Sequence, residues 1–198
     1  MAEQARARVF AGDRLPTLVT DRLVLRWLEP RDLDDLLVIF SDPRVMRYWS
    51  RPPYQDREEV AGLLRDIHRL FREQILFQWG LALRDSGRVV GTCTLFNVDL
   101  RNRRAEVGYA LARAHWGKGL IREAVSAVVD LAFGPLDLRR LEADIDPRNQ
   151  ASVKVVEALG FRREGLLRER WEVSGELADS VVYGLLRREL RGSGPVEP

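Results

Sequence analysis

Apolar and polar positions alternate along the chain with two different periods, near two and near 3.6, and the switches between them mark the elements. Residues 20–28 read TDRLVLRWL, with Leu23, Leu25 and Trp27 on one face and Val24 and Leu28 on the other, which predicts a first strand. Asp32 opens a helix that runs through Phe40 until Ser41, Asp42 and Pro43 stop it. The aromatic segment MRYWSRPPY is kept irregular by Pro52 and Pro53. Asp56 and Glu59 form a capping-box pattern ahead of a second helix to about Glu73, with Val60, Leu63, Leu64, Ile67, Leu70 and Phe71 as its apolar stripe. His68 lies off the centre of that stripe and reads as a solvated surface histidine. The runs FQWGLALRD and RVVGTCTLFNV then predict a hairpin closed at Ser86-Gly87.

The centre of the chain, EVGYALARAHWGKGLIREAV at residues 106–125, changes period within a few residues. Val107, Tyr109 and Leu111 follow strand alternation, and Leu120, Ile121, Ala124, Val125 and Val128 recur at helical spacing. Gly117 and Gly119 sit between them on either side of Lys118. A helix start has about four backbone N–H groups without intrahelical partners and a partial positive charge. Glycines there let an anion approach the backbone, so strand, WGKG loop and helix form a candidate pyrophosphate cradle; a plain turn is the competing reading. Neither GxxxxGK[ST] nor GxGxxG near the start of a βαβ unit occurs. Beyond the central helix, which ends near Gly134-Pro135, a strand over residues 138–145 leads to Asn149, the cap of a helix ending at Gly160. Two closing strands flank Ser174-Gly175, and the tail GSGPVEP is predicted to be disordered.

Composition narrows the classes. The 198 residues suit one domain with a substantial core, predicted over residues 17–190, with an irregular lead-in at 1–16 and the tail at 191–198. Thirty-two basic and 30 acidic residues nearly balance, and the arginines form no basic stripe, which argues against a nucleic-acid partner. One cysteine, Cys93, excludes an internal disulfide and suits a reducing cytoplasm; its strand-like run makes it a core residue. Two histidines and no CxxC or HxxxH spacing give no metal site. No apolar run approaches the ~20 residues that span a membrane. Hairpins followed by a strand–helix–strand crossover predict an α+β, three-layer architecture: a mixed sheet with helices on both faces.

Three stretches in order, TDRLVLRWLEPRD, EVGYALARAHWGKGLIREAV and NQASVKVVEALGFRREG, resemble the GNAT superfamily of acetyl-CoA-dependent N-acetyltransferases, and more narrowly its RimJ/RimL-type branch. The resemblance implies a twisted, mostly antiparallel seven-stranded sheet with about four helices, splayed at its central strands. It implies acetyl-CoA as cofactor and a primary amine as acceptor, most readily a protein or peptide N-terminus. A small amine (amino acid, polyamine or antibiotic) is the alternative, and a non-catalytic acyl-CoA-binding regulatory module is the rival of another class. A homodimer is implied by the branch alone.

The family's pyrophosphate pattern falls on Trp116, Gly119 and Ile121, with Gly117, Lys118 and Leu120 between and beside them. Ile121 stands where the pattern has a small residue and is expected to crowd the phosphate. The resemblance places the pantetheine along Tyr109, Ala110 and Leu111, with the backbone N–H groups of Ala110 and Leu111 facing the thioester. The tyrosine that many members use as proton donor is Val156 here. The branch's NxxS pattern matches Asn149 and Ser152, which makes Ser152 the donor to the leaving thiolate, although both residues also suit a helix start. Glu106 is the candidate base, with water as a sufficient alternative for an α-amine. A glutamate expected in the sixth strand is Trp171 here, with Glu169 and Glu172 as neighbours. Tyr48, Trp49, Arg51 and Tyr54 would wall the acceptor site, and His115 would line the cofactor mouth or serve as a plain loop residue.

Overall fold

The computed structural model describes residues 12–173 and 175–190. The predicted disordered tail, most of the lead-in, and Ser174 of the last turn lie outside the described residues. Eight strands form one sheet in the order β1-β2-β3-β4-β5-β6-β8-β7. They are β1 (Leu18–Val19), β2 (Leu23–Arg26), β3 (Phe77–Leu83), β4 (Val89–Asp99), β5 (Arg104–Leu111), β6 (Arg140–Ile145), β7 (Arg162–Val173) and β8 (Glu176–Leu186). The α-helices are α1 (Leu33–Phe40), α2 (Arg57–Arg72), α3 (Leu120–Phe133) and α4 (Gln150–Ala158). The expected mixed, mostly antiparallel sheet and the four helices are present. The eighth strand is β1: two residues are too few to show alternation in the sequence, and pairing of Leu18 with Leu25 makes it a strand.

The two faces of the sheet carry separate cores. Val107, Leu141, Ala143, Ile145, Val181 and Leu185 pack with Ala124, Val125 and Val128 of α3 and Val156 of α4. On the other face Leu28, Ala82, Val89 and Ala110 pack with Leu36, Ile39 and Phe40 of α1 and Val60, Leu64 and Ile67 of α2. Asp32 is buried at the entry to α1, where Arg26 grips it with two hydrogen bonds of 2.8 and 2.7 Å. Burial works against that carboxylate's charge, but the Arg26 fork and the Glu29 N–H hold its pKa below the usual range.

Asp56 caps α2 as predicted, accepting from the Glu59 N–H at 2.9 Å. His68 departs from expectation. It stacks on Trp27, with centroids 4.5 Å apart, and its Nε2 lies 3.0 Å from the Leu28 carbonyl oxygen. It is a half-buried joint between α2 and the end of β2, which the stripe of α2 alone could not show.

One break positions the site. β5 and β6 are parallel and pair only at Arg104–Arg140, Ala105–Leu141 and Glu106–Glu142. Beyond Glu106 and Glu142 they diverge, while β5 stays paired with β4 out to Gly91–Leu111. The result is a wedge open at the C-terminal ends of β5 and β6.

Candidate active site

The loop leaving β5 turns through Arg113–His115 and then passes Gly117 and Gly119, both left-handed at φ 73° and 75°. Glycine adopts that region without the cost a Cβ imposes. Gly119 is the N-cap of α3 and gives it no side-chain cap. The first N–H groups of a 14-residue helix therefore open beside the wedge.

Lys118 Nζ folds back onto the Ala114 carbonyl at 2.9 Å. Arg22, just before β2, ties that strand's start to the loop, donating to the Lys118 carbonyl at 2.8 Å and to Glu123 at 2.7 Å. Glu123 also accepts from Thr20 Oγ1 and the Arg22 N–H. Burial opposes its charge, but these donors hold its pKa below the usual carboxylate range.

Ile121 corrects an expectation. It is buried in the α3-side core, as is Leu120, so neither side chain crowds the helix opening. In the first turn of a helix the N–H groups point along the axis and side chains point outward, so a large residue on the inner face leaves the donors clear. Trp116 lies across the loop, its indole N–H donating to the Leu111 carbonyl at 2.7 Å and its ring exposed. His115 is half-buried. Burial, then Lys118 and Arg88, push its pKa below the usual value, which keeps the ring neutral at pH 7.

The backbone at the end of β5 divides the two amides expected to face the thioester. The Ala112 N–H donates to the Val90 carbonyl at 2.8 Å. Antiparallel alternation then turns the Ala110 N–H into the ladder with β4 and the Leu111 N–H toward the wedge. Leu111 can offer its amide to an oxyanion and Ala110 cannot.

On the β6 side, Asn149 Oδ1 accepts from the Ser152 N–H at 3.2 Å and caps α4. Ser152 is half-buried, one turn before the fully buried Val156, which fixes its face of the helix. Its hydroxyl has no hydrogen-bond partner among the described residues. Tyr109 reaches from β5 to α4 across the wedge, its hydroxyl donating to the Ser152 carbonyl at 3.2 Å. Burial raises the Tyr109 pKa strongly, so it stays protonated and keeps that bond.

On the opposite face of the sheet, Glu106 accepts from Asn97 Nδ2 at 2.9 Å and has no cation at ion-pair distance among the described residues. Its strand neighbour Glu142 is bound by Arg104 and Arg140 at 3.1 and 2.6 Å. Tyr48 reaches the Arg148 carbonyl with its hydroxyl at 3.3 Å, joining the loop after α1 to the β6–α4 connection. Trp49 instead packs edge-on against Phe40, and Arg51 lies over the Tyr54 ring at 3.4 Å. Of the aromatic segment, Tyr48 comes to the wedge, while Trp49, Arg51 and Tyr54 build the cover beneath it.

Asp144 was missed in the sequence because it reads as one polar position in a strand. It faces away from α3 and α4, and fully buried Ser180 donates to it. Trp171 is a further hydrogen-bonding partner, and Arg170 Nε is 4.0 Å away. No group of three or more potential metal ligands occurs among the described residues. No described helix is long and apolar enough to cross a membrane.

An uncapped helix N-terminus, two left-handed glycines and a parallel pair that opens beside them fit a diphosphate followed by an extended thioester arm. Comparison with known proteins gives the family. The acetyltransferase (GNAT) domain model matches residues 22–162. The chain is 38% identical to N-acetyltransferase p20 of Bacillus licheniformis, itself uncharacterised, over 90% of this chain and 100% of p20. It is 32% identical to YdaF of Bacillus subtilis, which carries the name of a ribosomal N-acetyltransferase, over 88% and 96%. It is 27% identical to the spermidine N(1)-acetyltransferase of Escherichia coli K12, over 79% and 82%. Among solved structures, Mycobacterium smegmatis RimJ in complex with CoA-disulfide superposes with a TM-score of 0.77 at 27% identity, over 86% of this chain and 85% of that one. The opened β5–β6 pair and the glycine cradle thus belong to a GNAT-family N-acetyltransferase, and the chain is a member of that family's RimJ/RimL-like branch.

Proposed function

We propose that residues 17–190 form one cytoplasmic acetyltransferase domain that transfers an acetyl group directly from acetyl-CoA to a primary amine, with a protein or peptide N-terminus as acceptor. The observation that carries this reading is the wedge: the only parallel pair among the described strands opens between the α3 cradle and the first turn of α4. Acetyl-CoA supplies the acyl group as a thioester. The N–H groups at the start of α3 hold its diphosphate, with Trp116 and Lys118 beside it and Leu120 and Ile121 contributing backbone only. Tyr109 lines the arm, and the Leu111 N–H meets the carbonyl oxygen as charge develops on it. Ser152 gives its hydroxyl proton to the leaving sulfur, and Asn149 and Tyr109 fix the turn that carries it.

The acceptor enters from the opposite face, past Tyr48 and toward Glu106, whose carboxylate attracts an ammonium group. Direct transfer is supported by Cys93. It is fully buried, burial raises its thiol pKa to about 12, and it is a poor covalent nucleophile. An exposed α-amine, with pKa about 7.7–8.0, loses its proton more readily than an alkyl amine and suits a site without a strong base. A polyamine acceptor is the second reading; the carboxylates Glu106 and Asp144 on the acceptor face favour it.

Thiol release from acetyl-CoA, measured over peptides with free N-termini and over polyamines, tests the proposal. A peptide should turn over, and Ser152→Ala should lower kcat by about 100-fold with acetyl-CoA affinity intact. Ser152→Ala at wild-type rate removes Ser152 as donor. Turnover of polyamines alone reassigns the acceptor, and acetyl-CoA binding without turnover of any amine overturns the enzyme reading.

A further inference from the structure

Among the described residues, several carboxylates on the acceptor face are already committed. Glu142 is paired with Arg104 and Arg140, Asp146 with Arg148, and Glu164 with Arg140. Asp144 is different. It is the first acceptor-face position of β6 beyond the last β5–β6 pair, so β5 no longer covers that side of it. Its neighbours Ala143 and Ile145 are buried toward α3 and α4, which by strand alternation turns Asp144 to the face opposite the cradle. An acetyl-CoA held by the α3 cradle would enter the wedge from that side, which would leave the face on which Asp144 stands for an amine attacking the acyl carbon.

Its side chain is 19% exposed, so solvent reaches part of it. Ser180, fully buried on β8, donates to Oδ1, and Trp171 supports the group from β7. The nearest cation, Arg170, stands 4.0 Å from Oδ2, beyond hydrogen-bond distance. One oxygen is thus fixed by a buried hydroxyl while the other is not claimed by a close cation.

We propose that Asp144, rather than Glu106, is the carboxylate that takes the proton of the acceptor amine. This rests on the acetyltransferase reading above. As the amine nitrogen bonds to the acyl carbon and the carbon–sulfur bond breaks, the N–H proton passes to Oδ2 of Asp144, the oxygen that Ser180 does not hold. The Ser152 hydroxyl proton passes to the sulfur, and solvent exchange restores both groups. Burial raises the pKa of Asp144 above the usual carboxylate range, while Trp171 and Arg170 partly oppose the shift, which makes it a stronger proton acceptor than an exposed aspartate. The groups on its side of the sheet are Arg170 and Trp171 from β7, Ser180 from β8, Glu142 from β6, Asp146 just after β6, and Glu106 from β5.

The test uses the whole chain and the acceptor that turns over in the assay above, with Asp144→Asn, Trp171→Phe and Glu106→Gln. Asparagine keeps an oxygen acceptor for Ser180 or Trp171 but cannot take the proton. Asp144→Asn should lower kcat about 100-fold with KM for acetyl-CoA and melting temperature unchanged, and should abolish the lower-pH limb of the kcat/KM profile, leaving only the fall set by ionisation of the amine itself. Trp171→Phe removes a donor to the carboxylate and should move that limb to higher pH. A merely structural Asp144 predicts the reverse: lower melting temperature with the pH profile in place. Wild-type kcat and an intact acid limb in Asp144→Asn overturn the assignment, as does loss of the limb in Glu106→Gln alone. A wild-type chain that binds acetyl-CoA but turns over no amine overturns the acetyltransferase reading and this assignment together.

Discussion

Cys93 shows how far one residue's environment decides its chemistry. It has no exposed surface, and burial lifts its pKa to about 12, so the thiolate that reacts with electrophiles is scarce at neutral pH. Iodoacetamide at pH 7.5 should therefore leave the folded chain unmodified by mass spectrometry and alkylate it once denatured. Rapid adduct formation on native protein would contradict this. The same reasoning separates Ser152 from Val156, one turn apart on α4. The fully buried valine occupies a core position, and the half-buried serine ends the stripe at the wedge. A tyrosine at 156 would have to push into that core.

At the scale of elements, α3 is prepared at its N-terminus by two glycines whose substitution should have different consequences. Both have left-handed backbone, and an alanine there costs about 1–2 kcal/mol. A Cβ at Gly117 meets nothing within 4 Å, whereas Gly119 is the N-cap itself. Denaturation should show a similar stability loss for Gly117→Ala and Gly119→Ala. Calorimetric CoA titration should show a severalfold weakening confined to Gly119→Ala, whose added methyl is carried by the N-cap residue of α3. Equal affinity in both variants would mean that the diphosphate sits elsewhere.

Glu123 anchors the same helix to the turn between β1 and β2 through Arg22 and Thr20. Its pKa is depressed in the folded state, so its contribution is complete above the unfolded value, roughly 4.3, and is lost as pH falls through the folded value. Glu123→Gln should cost about 1–3 kcal/mol at pH 7 by urea denaturation. The difference from wild type should shrink below about pH 4. A difference that holds constant down to pH 3 would show that charge plays no part.

For the whole molecule, the wedge predicts that ligand binding and stability are linked. CoA at about 100 times its dissociation constant should stabilise the folded state by about 2.7 kcal/mol, a rise of roughly 5–10 °C in melting temperature. CoA contributes both the diphosphate and the arm, so dephosphorylated pantetheine at equal concentration should give a smaller shift. No shift with CoA at any concentration would contradict the cradle. The opening itself needs the whole sheet. β4 holds β5 on one side and β8 holds β6 on the other, so the two central strands can part without exposing unpaired edges along their full length.

Much of this protein was determined by sequence alone because its signals are local. Period-two and period-3.6 runs place nearly all the strands and all four helices. Asn149 and Asp56 cap through their own side chains a few residues away, and the glycines of the cradle answer to backbone sterics at single positions. What tertiary structure decided involves residues far apart in the chain. Trp27 with His68, Tyr48 with Arg148, and Asp144 with Ser180 are separated by 41, 100 and 36 positions, counted from their numbers. Strand alternation marks Asp144 as polar and helical spacing marks Ile121 as apolar, but neither says which faces meet, where β5 and β6 part, or which carboxylates are already paired. Those follow from strand order and register, which the sum of many distant contacts sets and which no short window of sequence contains.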